Sequence, residues 1–200
     1  MFEPIGIREV EAQRSALGAL VAAFDPGSIA LPDAPVVFRF LDEIERLASG
    51  AKILVAERVE ASRVWEREGF ATAADYLAAV TKSTVGRARE SLKTSTRVRK
   101  QPKTREALRK GALNTDLANA VSDAADADPD AEGNLLDVAD RESLNELRKR
   151  CDKTKANADP DPDARRRRIH GDRSLRTFTG ADGAWNLQAK GTAEDGARIN

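Results

Sequence analysis

The residues of this chain best suited to chemistry are cations spaced to meet phosphate. Arg89, Lys93, Arg97 and Lys100 follow one another at steps of four, four and three. On a helix at ~100° per residue these four fall within about 80° of arc. Arg87 precedes them in the same segment, while Val85, Ala88 and Leu92 occupy a separate arc. One side can therefore pack while the other carries a cationic stripe able to follow a nucleic-acid backbone or enter a major groove. A second basic knot follows at Arg165, Arg166, Arg167 and Arg168. Arg87, Arg89, Lys93, Arg97 and Lys100 are the expected DNA-phosphate contacts, with Arg165, Arg166, Arg167 and Arg168 as a secondary patch.

Other chemistry is poorly provided for. His170 is the single histidine and Cys151 the single cysteine. Sites needing two imidazoles, an internal disulfide or a Cys-based zinc centre are excluded. Cys151 has Arg150 and Lys153 nearby, cations able to lower a thiol pKa, but no second reacting group is implied, and a packed or inert thiol is the default reading. His170 stands between an arginine run and Gly171, where a solvated imidazole is the plain reading. There is no Glu-x-x-His, no paired carboxylate arrangement and no glycine-rich phosphate loop. Asp126 to Gly133 alternates acids as a calcium loop does, without the spacing or terminal Glu of an EF-hand. No catalytic residue, metal or cofactor is expected, and an enzyme acting through Cys151 and His170 is the weakest alternative.

Composition frames these residues. The chain has 200 residues, of which 40% are hydrophobic, enough for a buried core. Only 4% are aromatic, which argues against a large β-sandwich and against a base-stacking platform. Its 33 Lys+Arg and 33 Asp+Glu cancel formally but are sorted along the chain. Between Lys82 and Lys110 stand eleven basic residues and two acids; between Gly111 and Glu146 stand ten acids and one base, Arg141. Either the two blocks neutralise each other in the fold, or the basic one forms a surface that meets phosphate. No apolar run is long enough to span a membrane, and the first residues lack the layout of a signal peptide. A soluble cytoplasmic protein is expected.

The elements that must position the cations read as helices. Val10, Leu17 and Phe24, with Leu20 and Val21 between, predict an amphipathic helix over Ile7–Phe24, ended by Asp25-Pro26-Gly27. Val37, Leu41, Ile44, Ala48, Ala51, Val55, Ser62 and Trp65 form a heptad seam, interrupted by Arg58. This predicts one helix over Val36–Arg67, about 48 Å long, whose seam suits a homodimer. Gly69 stops it, and Thr72 caps a short helix through Val80 with Tyr76, Leu77 and Val80 inward. A turn at Thr81-Lys82-Ser83 leads to the basic helix, capped by Ser83 or Thr84 and running to about Lys100. This helix-turn-helix-like pair at 72–100 puts the cations in the recognition position. Gly111 stops a further helix at Leu108, Asn114 or Thr115 opens the next, and Asp126–Gly133 is an acidic loop. Leu135–Asp140 and a Ser143-capped segment to about Lys155 follow, then a basic helix at Ala164–His170. Ser174–Thr179 and Ala184–Lys190 around Gly180-Ala181-Asp182-Gly183 predict a β-hairpin, and Thr192 caps a last helical turn.

Several segments together resemble a known family. Trp65-Glu66-Arg67-Glu68-Gly69-Phe70-Ala71-Thr72, continuing to Tyr76-Leu77, resembles its entry helix, and Ala107-Leu108-Arg109-Lys110-Gly111-Ala112-Leu113-Asn114-Thr115 with Ala118 its central element. Ser143-Leu144-Asn145-Glu146-Leu147-Arg148 and Ala158-Asp159-Pro160 resemble the next pieces, and Asp182–Leu187 with Glu194–Ala197 the hairpin and following helix. In this order, from about Val36 onward, they are similar to domain-of-unknown-function family 222, the actinobacterial 13E12-repeat family. That family usually carries the domain ahead of an HNH nuclease module, a metal-dependent site built on His and Asn. The resemblance implies a targeting half whose nuclease is absent here, since His170 is the only histidine, and so a truncated copy or fragment. Lys82 stands where the family often has Gly.

The expectation is a mainly α, multi-helix bundle with one long helix and a small C-terminal β-hairpin. Its parts would be residues 1–35, a helical domain over 36–158, and an Arg-rich helix with hairpin over 159–200. The expected function is a non-catalytic, DNA-associating module of an HNH-endonuclease-like, mobile-element-type protein. The alternative is a helical dimerisation or protein-interaction protein with no nucleic-acid role.

Overall fold

The computed structural model describes residues 6–197, and the side chains of all of these except Pro162, Arg165, Ala193 and Glu194. The fold is mainly α, with eleven α-helices and one two-stranded sheet among the described residues. It divides into two compact units, one ending at Ile44 and the other beginning at Glu45.

The first unit contains α1 (Ile7–Ala22) and the start of α2 (Ala34–Ala61). Between them Asp25 accepts a hydrogen bond from the Gly27 amide at 2.9 Å, and Pro26 opens a single 3-10 turn. This Asx-type turn ends α1 at Ala22, two residues before Phe24. No residue of α1 is buried.

The helix predicted over Val36–Arg67 is broken. α2 ends at Ala61, so it is about 42 Å long rather than 48 Å. Ser62 Oγ donates to the Val59 carbonyl at 2.7 Å and Arg63 takes a left-handed conformation, φ 53°. A separate turn, α3 (Val64–Arg67), then folds back so that Trp65 Nε1 donates to the Glu60 carbonyl at 3.3 Å. In the second unit α2 buries Gly50, Ile53 and Ala56, while the seam residues Ala48, Ala51 and Val55 are exposed. The packed face lies roughly opposite the heptad seam, at ~100° per residue.

The remaining helices are α4 (Ala73–Thr81), α5 (Val85–Arg97), α6 (Pro102–Arg109), α7 (Thr115–Ala127), α8 (Glu132–Arg141), α9 (Leu144–Asn157) and α10 (Pro162–Gly171). The acidic helix α7 is central, packing on α5, α6, α8 and α9. Its Ala118, Val121, Ala124 and Ala125 join Ile53, Val98, Leu108, Leu135 and Leu147 in the main core. A smaller cluster joins Ala56, Ala73, Ala74, Ala78, Ala88 and Leu92, with Trp65 and Leu77 against it. The inward side of α4 is thus its alanines, which let the helix approach α5 closely. Val80, expected inward, is 60% exposed.

Two close approaches fix how α2 meets the chain around α6. A Cβ on Gly50 would come within 2.5 Å of the Leu108 carbonyl oxygen. Gly111, at φ +66°, would place a Cβ 2.9 Å from Leu47 Cγ. The expected acidic loop is also more structured than its composition suggests. α7 continues to Ala127, Pro129–Ala131 form a 3-10 turn, and Glu132 begins α8. Glu132 is buried, and its Oε1 accepts from the Thr104 amide at 2.7 Å, satisfying an open donor at the start of α6.

The hairpin forms at the predicted residues, β1 (Ser174–Thr179) with β2 (Trp185–Lys190), antiparallel in the register Thr177↔Leu187. Strand alternation puts Leu175, Thr177, Trp185 and Leu187 on one face and Phe178 on the other. Gly183 supplies the positive φ of the turn, and Asp182 Oδ1 accepts from the Ala184 amide at 3.0 Å. α11 (Ala193–Ala197) follows, capped reciprocally by Thr192 and Asp195.

Candidate nucleic-acid interface

Local chemistry sets the pair of helices that carries the cations. Thr72 Oγ1 accepts from the Asp75 amide at 3.1 Å and opens α4; Thr84 Oγ1 accepts from the Arg87 amide at 3.3 Å and opens α5. The turn between them holds Lys82 at φ 54°. A left-handed lysine costs about 1–2 kcal/mol, so the turn keeps the backbone conformation of a glycine without the glycine. α4 and α5 pack directly on each other.

The five cations of the basic segment do not share one surface. α5 has three occupied sides. Ala88 and Leu92 face the α4 cluster. Ser95 Oγ accepts from the Glu57 amide of α2 at 3.0 Å. Thr94 Oγ1 donates to Asn119 Oδ1 of α7 at 2.7 Å.

Two predicted contacts turn toward α7. Arg97 is only 21% exposed, and it holds Asp123 at 2.8 Å and Asp126 at 3.3 Å. Arg87 reaches Asp116 at 3.5 Å, with both side chains substantially exposed. The basic and acidic blocks therefore partly neutralise each other across the α5–α7 contact.

Arg89 and Lys93 remain on the open strip of α5. Lys93 pairs with Glu90 of its own helix at 2.8 Å, an exposed pair of small energetic consequence. Arg89 is exposed and makes no ion pair among the described residues. Lys100 is exposed and likewise makes no ion pair among the described residues, but it lies beyond the helix. α5 ends at Arg97 because Val98 turns into the core, 2% exposed, and Pro102 starts α6. Arg99, not singled out from its spacing, pairs with Glu57 at 2.7 Å.

Asp123 of α7 is engaged from a further side as well. Lys155 of α9 donates to Asp123 Oδ2 at 3.0 Å and pairs with Asp152 at 3.2 Å. Burial pushes the Asp123 carboxyl up, but the Lys155 hydrogen bond and the charges of Lys155 and Arg97 outweigh it. The carboxyl is held below its ordinary value. Lys155 is held above the usual lysine range: desolvation lowers it, and hydrogen bonds to Asp123 and Asp152 more than compensate.

The secondary patch lies on α10, capped by Asp161, whose Oδ1 accepts from the Ala164 amide at 2.7 Å. Arg166, Arg167 and Arg168 are exposed there, with Arg167 3.8 Å from Asp161. The side chain of Arg165 lies outside the described residues.

Cys151 and His170 are placed differently. Cys151 is 3% exposed in the core, where burial pushes its thiol up to about 11 despite the charge of Lys155. The packed thiol expected at this position is what the core holds; Arg150 and Lys153, whose side chains are exposed, do not offset its desolvation. His170 is exposed on α10. Among the described residues, no three His, Cys, Asp or Glu side chains form a group that could hold a metal ion. No described helix is long and apolar enough to cross a membrane.

Residues 36–200 match the family model described as Domain of unknown function (DUF222). Comparison with curated proteins and with solved structures gives no match. The match covers most of the chain and begins within α2, so it takes in the α4–α5 pair, the acidic α7 and the hairpin; the chain belongs to the DUF222 family.

Proposed function

We propose that this chain is a non-catalytic module that associates with DNA through the phosphate backbone, serving as the targeting half of an HNH-endonuclease-like, mobile-element-type protein. The observation that carries the reading is the open strip of α5. Arg89 and Lys93 stay solvent-facing on α5, and Lys100 is exposed past its end, while the buried arc and the α7 side of the helix are occupied. Cations kept clear of the core and of the acidic helix are available to displace counterions from a duplex. Arg87 and the exposed arginines of α10 extend the reading; Arg97, held by two carboxylates, contributes chiefly to the fold.

Fluorescence anisotropy of a random-sequence duplex, titrated with salt, tests this. Binding should weaken steeply with log salt, and Arg89→Ala with Lys93→Ala should each flatten the slope by about 0.9. A slope unchanged in the double variant removes the assignment.

The alternative, association through α2, is favoured by the exposed Ala48, Ala51 and Val55. It expects a sedimenting dimer that Val55→Asp dissociates. A monomer at high micromolar concentration removes it.

A further inference from the structure

A cleft of about 270 Å³ lies beside the α4–α5 turn, walled by α2, α4, α5 and the first residue of α7. Its floor is apolar, including Ile53 and Ala88, and its rim is rich in donors. Ser49, Ser91 and Thr115 line it, half-buried, and their hydroxyls make no side-chain hydrogen bond among the described residues. Lys52 lines it as well, exposed and without an ion pair among the described residues. Arg87 contributes a second cation whose one carboxylate contact, Asp116, is stretched to 3.5 Å. The starts of α5 and α7 both border the cleft, so the positive ends of two 13-residue helices add to these charges.

We propose that this cleft binds a single phosphoryl group. Three unengaged hydroxyls and two cations supply donors from several directions, and a phosphoryl group offers acceptor oxygens to match them. A phosphate there would compete with Asp116 for Arg87 and meet Lys52 without displacing any existing contact. Glu45 sets a limit on the ligand. It lines the same cleft two helical turns before Lys52, about 10 Å along α2. A second phosphoryl group extending toward it would meet a carboxylate, so the cleft suits a phosphodiester or phosphomonoester and disfavours a pyrophosphate chain. A backbone phosphate of DNA and a free phosphate ester share this chemistry. The assignment stands apart from the open strip of α5; of the cations proposed to meet DNA it uses only Arg87.

The test is a titration of the full chain with inorganic phosphate, followed by backbone amide NMR shifts, with pyrophosphate in parallel. Saturable shifts confined to Ser49, Lys52, Ser91 and Thr115 are expected, with a Kd on the order of 1 mM. Lys52→Ala and Arg87→Ala should each weaken phosphate binding by about tenfold, a loss of ~1.4 kcal/mol. Lys52 is exposed, so its variant should melt as the parent does; Ser91→Ala gives an independent check should Arg87→Ala unfold. Absence of localised shifts, equal binding of phosphate by the Lys52→Ala variant, or tighter binding of pyrophosphate than of phosphate would each overturn the proposal. Repeating the titration with duplex present separates the sources: competition at the cleft assigns a backbone phosphate, and simultaneous binding a free ester. Localised phosphate shifts in a chain that binds no duplex would refute the DNA reading alone; duplex binding without those shifts would refute the cleft alone.

Discussion

Arg97 of α5 holds Asp123 of α7 at 2.8 Å, and Asp123 is shared with Lys155 of α9 at 3.0 Å. One carboxylate thus ties three helices together, and it does so with a cation whose spacing marks it as a phosphate contact. Of the stripe predicted along α5, this member is committed to the fold.

Arg97 and Arg89 should therefore separate in experiment. Arg97→Ala removes a half-buried guanidinium from a network of charges and should cost about 1–2 kcal/mol, lowering Tm by a few degrees. Its salt slope for duplex binding should stay near the parent's. Arg89→Ala should do the reverse, leaving Tm unchanged and flattening the slope. Calorimetry beside the anisotropy titration reads both. A flattened slope with unchanged Tm for Arg97→Ala would mean that the carboxylates release it to DNA.

The same network predicts the shape of the stability–pH curve. Asp123 has its folded pKa depressed, so its contribution is full above the unfolded value, about 3.9, and is lost as pH falls through the folded one. Lys155 has its folded pKa raised, so its contribution is full below the unfolded value, about 10.4, and is lost as pH rises through the folded one. Asp123→Asn should reduce the acid-side loss, measured as urea midpoints from pH 6 down to about 3. An acid limb identical in the variant would show that the ion pair does not form in solution.

Cys151 should be inert in the native chain. Its thiol is buried and its pKa is raised to about 11, so thiolate is scarce at neutral pH. Labelling with a disulfide reagent at pH 8 should be slow in buffer and rapid in denaturant. Fast native labelling would contradict the burial and reopen a nucleophilic role.

Gly50→Ala should be among the most damaging single-methyl additions. The new Cβ would lie 2.5 Å from the Leu108 carbonyl oxygen, a backbone atom that cannot swing aside. The expected loss is about 1–3 kcal/mol, with α2 pushed off α6. Gly18→Ala, whose Cβ meets nothing within 4 Å, is the control and should be neutral or slightly stabilising. Equal thermal stability of the two variants would argue against that close approach.

The features readable from the order of residues are those whose partners lie within a few positions. Thr72, Thr84, Asn114 and Ser143 each accept from an amide three residues on, so a cap depends on no other part of the chain. The hairpin belongs with them, since its Asp-Gly turn selects its own register. The family is legible for the same reason: its motifs are caps, stops and turns in a fixed order. The break at Arg63 was not, because no Pro or Gly marks it and it forms where Trp65 folds back onto Glu60.

The candidate site was legible as a set of charges and not as a surface. Periodicity places Arg89, Lys93, Arg97 and Lys100 together on an isolated helix; packing decides which of them meets a carboxylate. Asp123 lies 26 positions beyond Arg97 and Glu132 lies 28 beyond Thr104, distances at which spacing carries no information about contact. Sequence alone determined most of the helices, their caps and the sorting of charge, though not the break at Arg63 or the helical order of the acidic segment. Tertiary structure alone decided that α7 draws Arg97 and Arg87 to itself, that Cys151 is desolvated, and that Lys52, Arg87, Ser91 and Thr115 surround one cleft. The physical reason is that capping and turn chemistry act over a few bonds, whereas Coulomb pairing and desolvation act through space, on neighbours that exist only once the helices have packed.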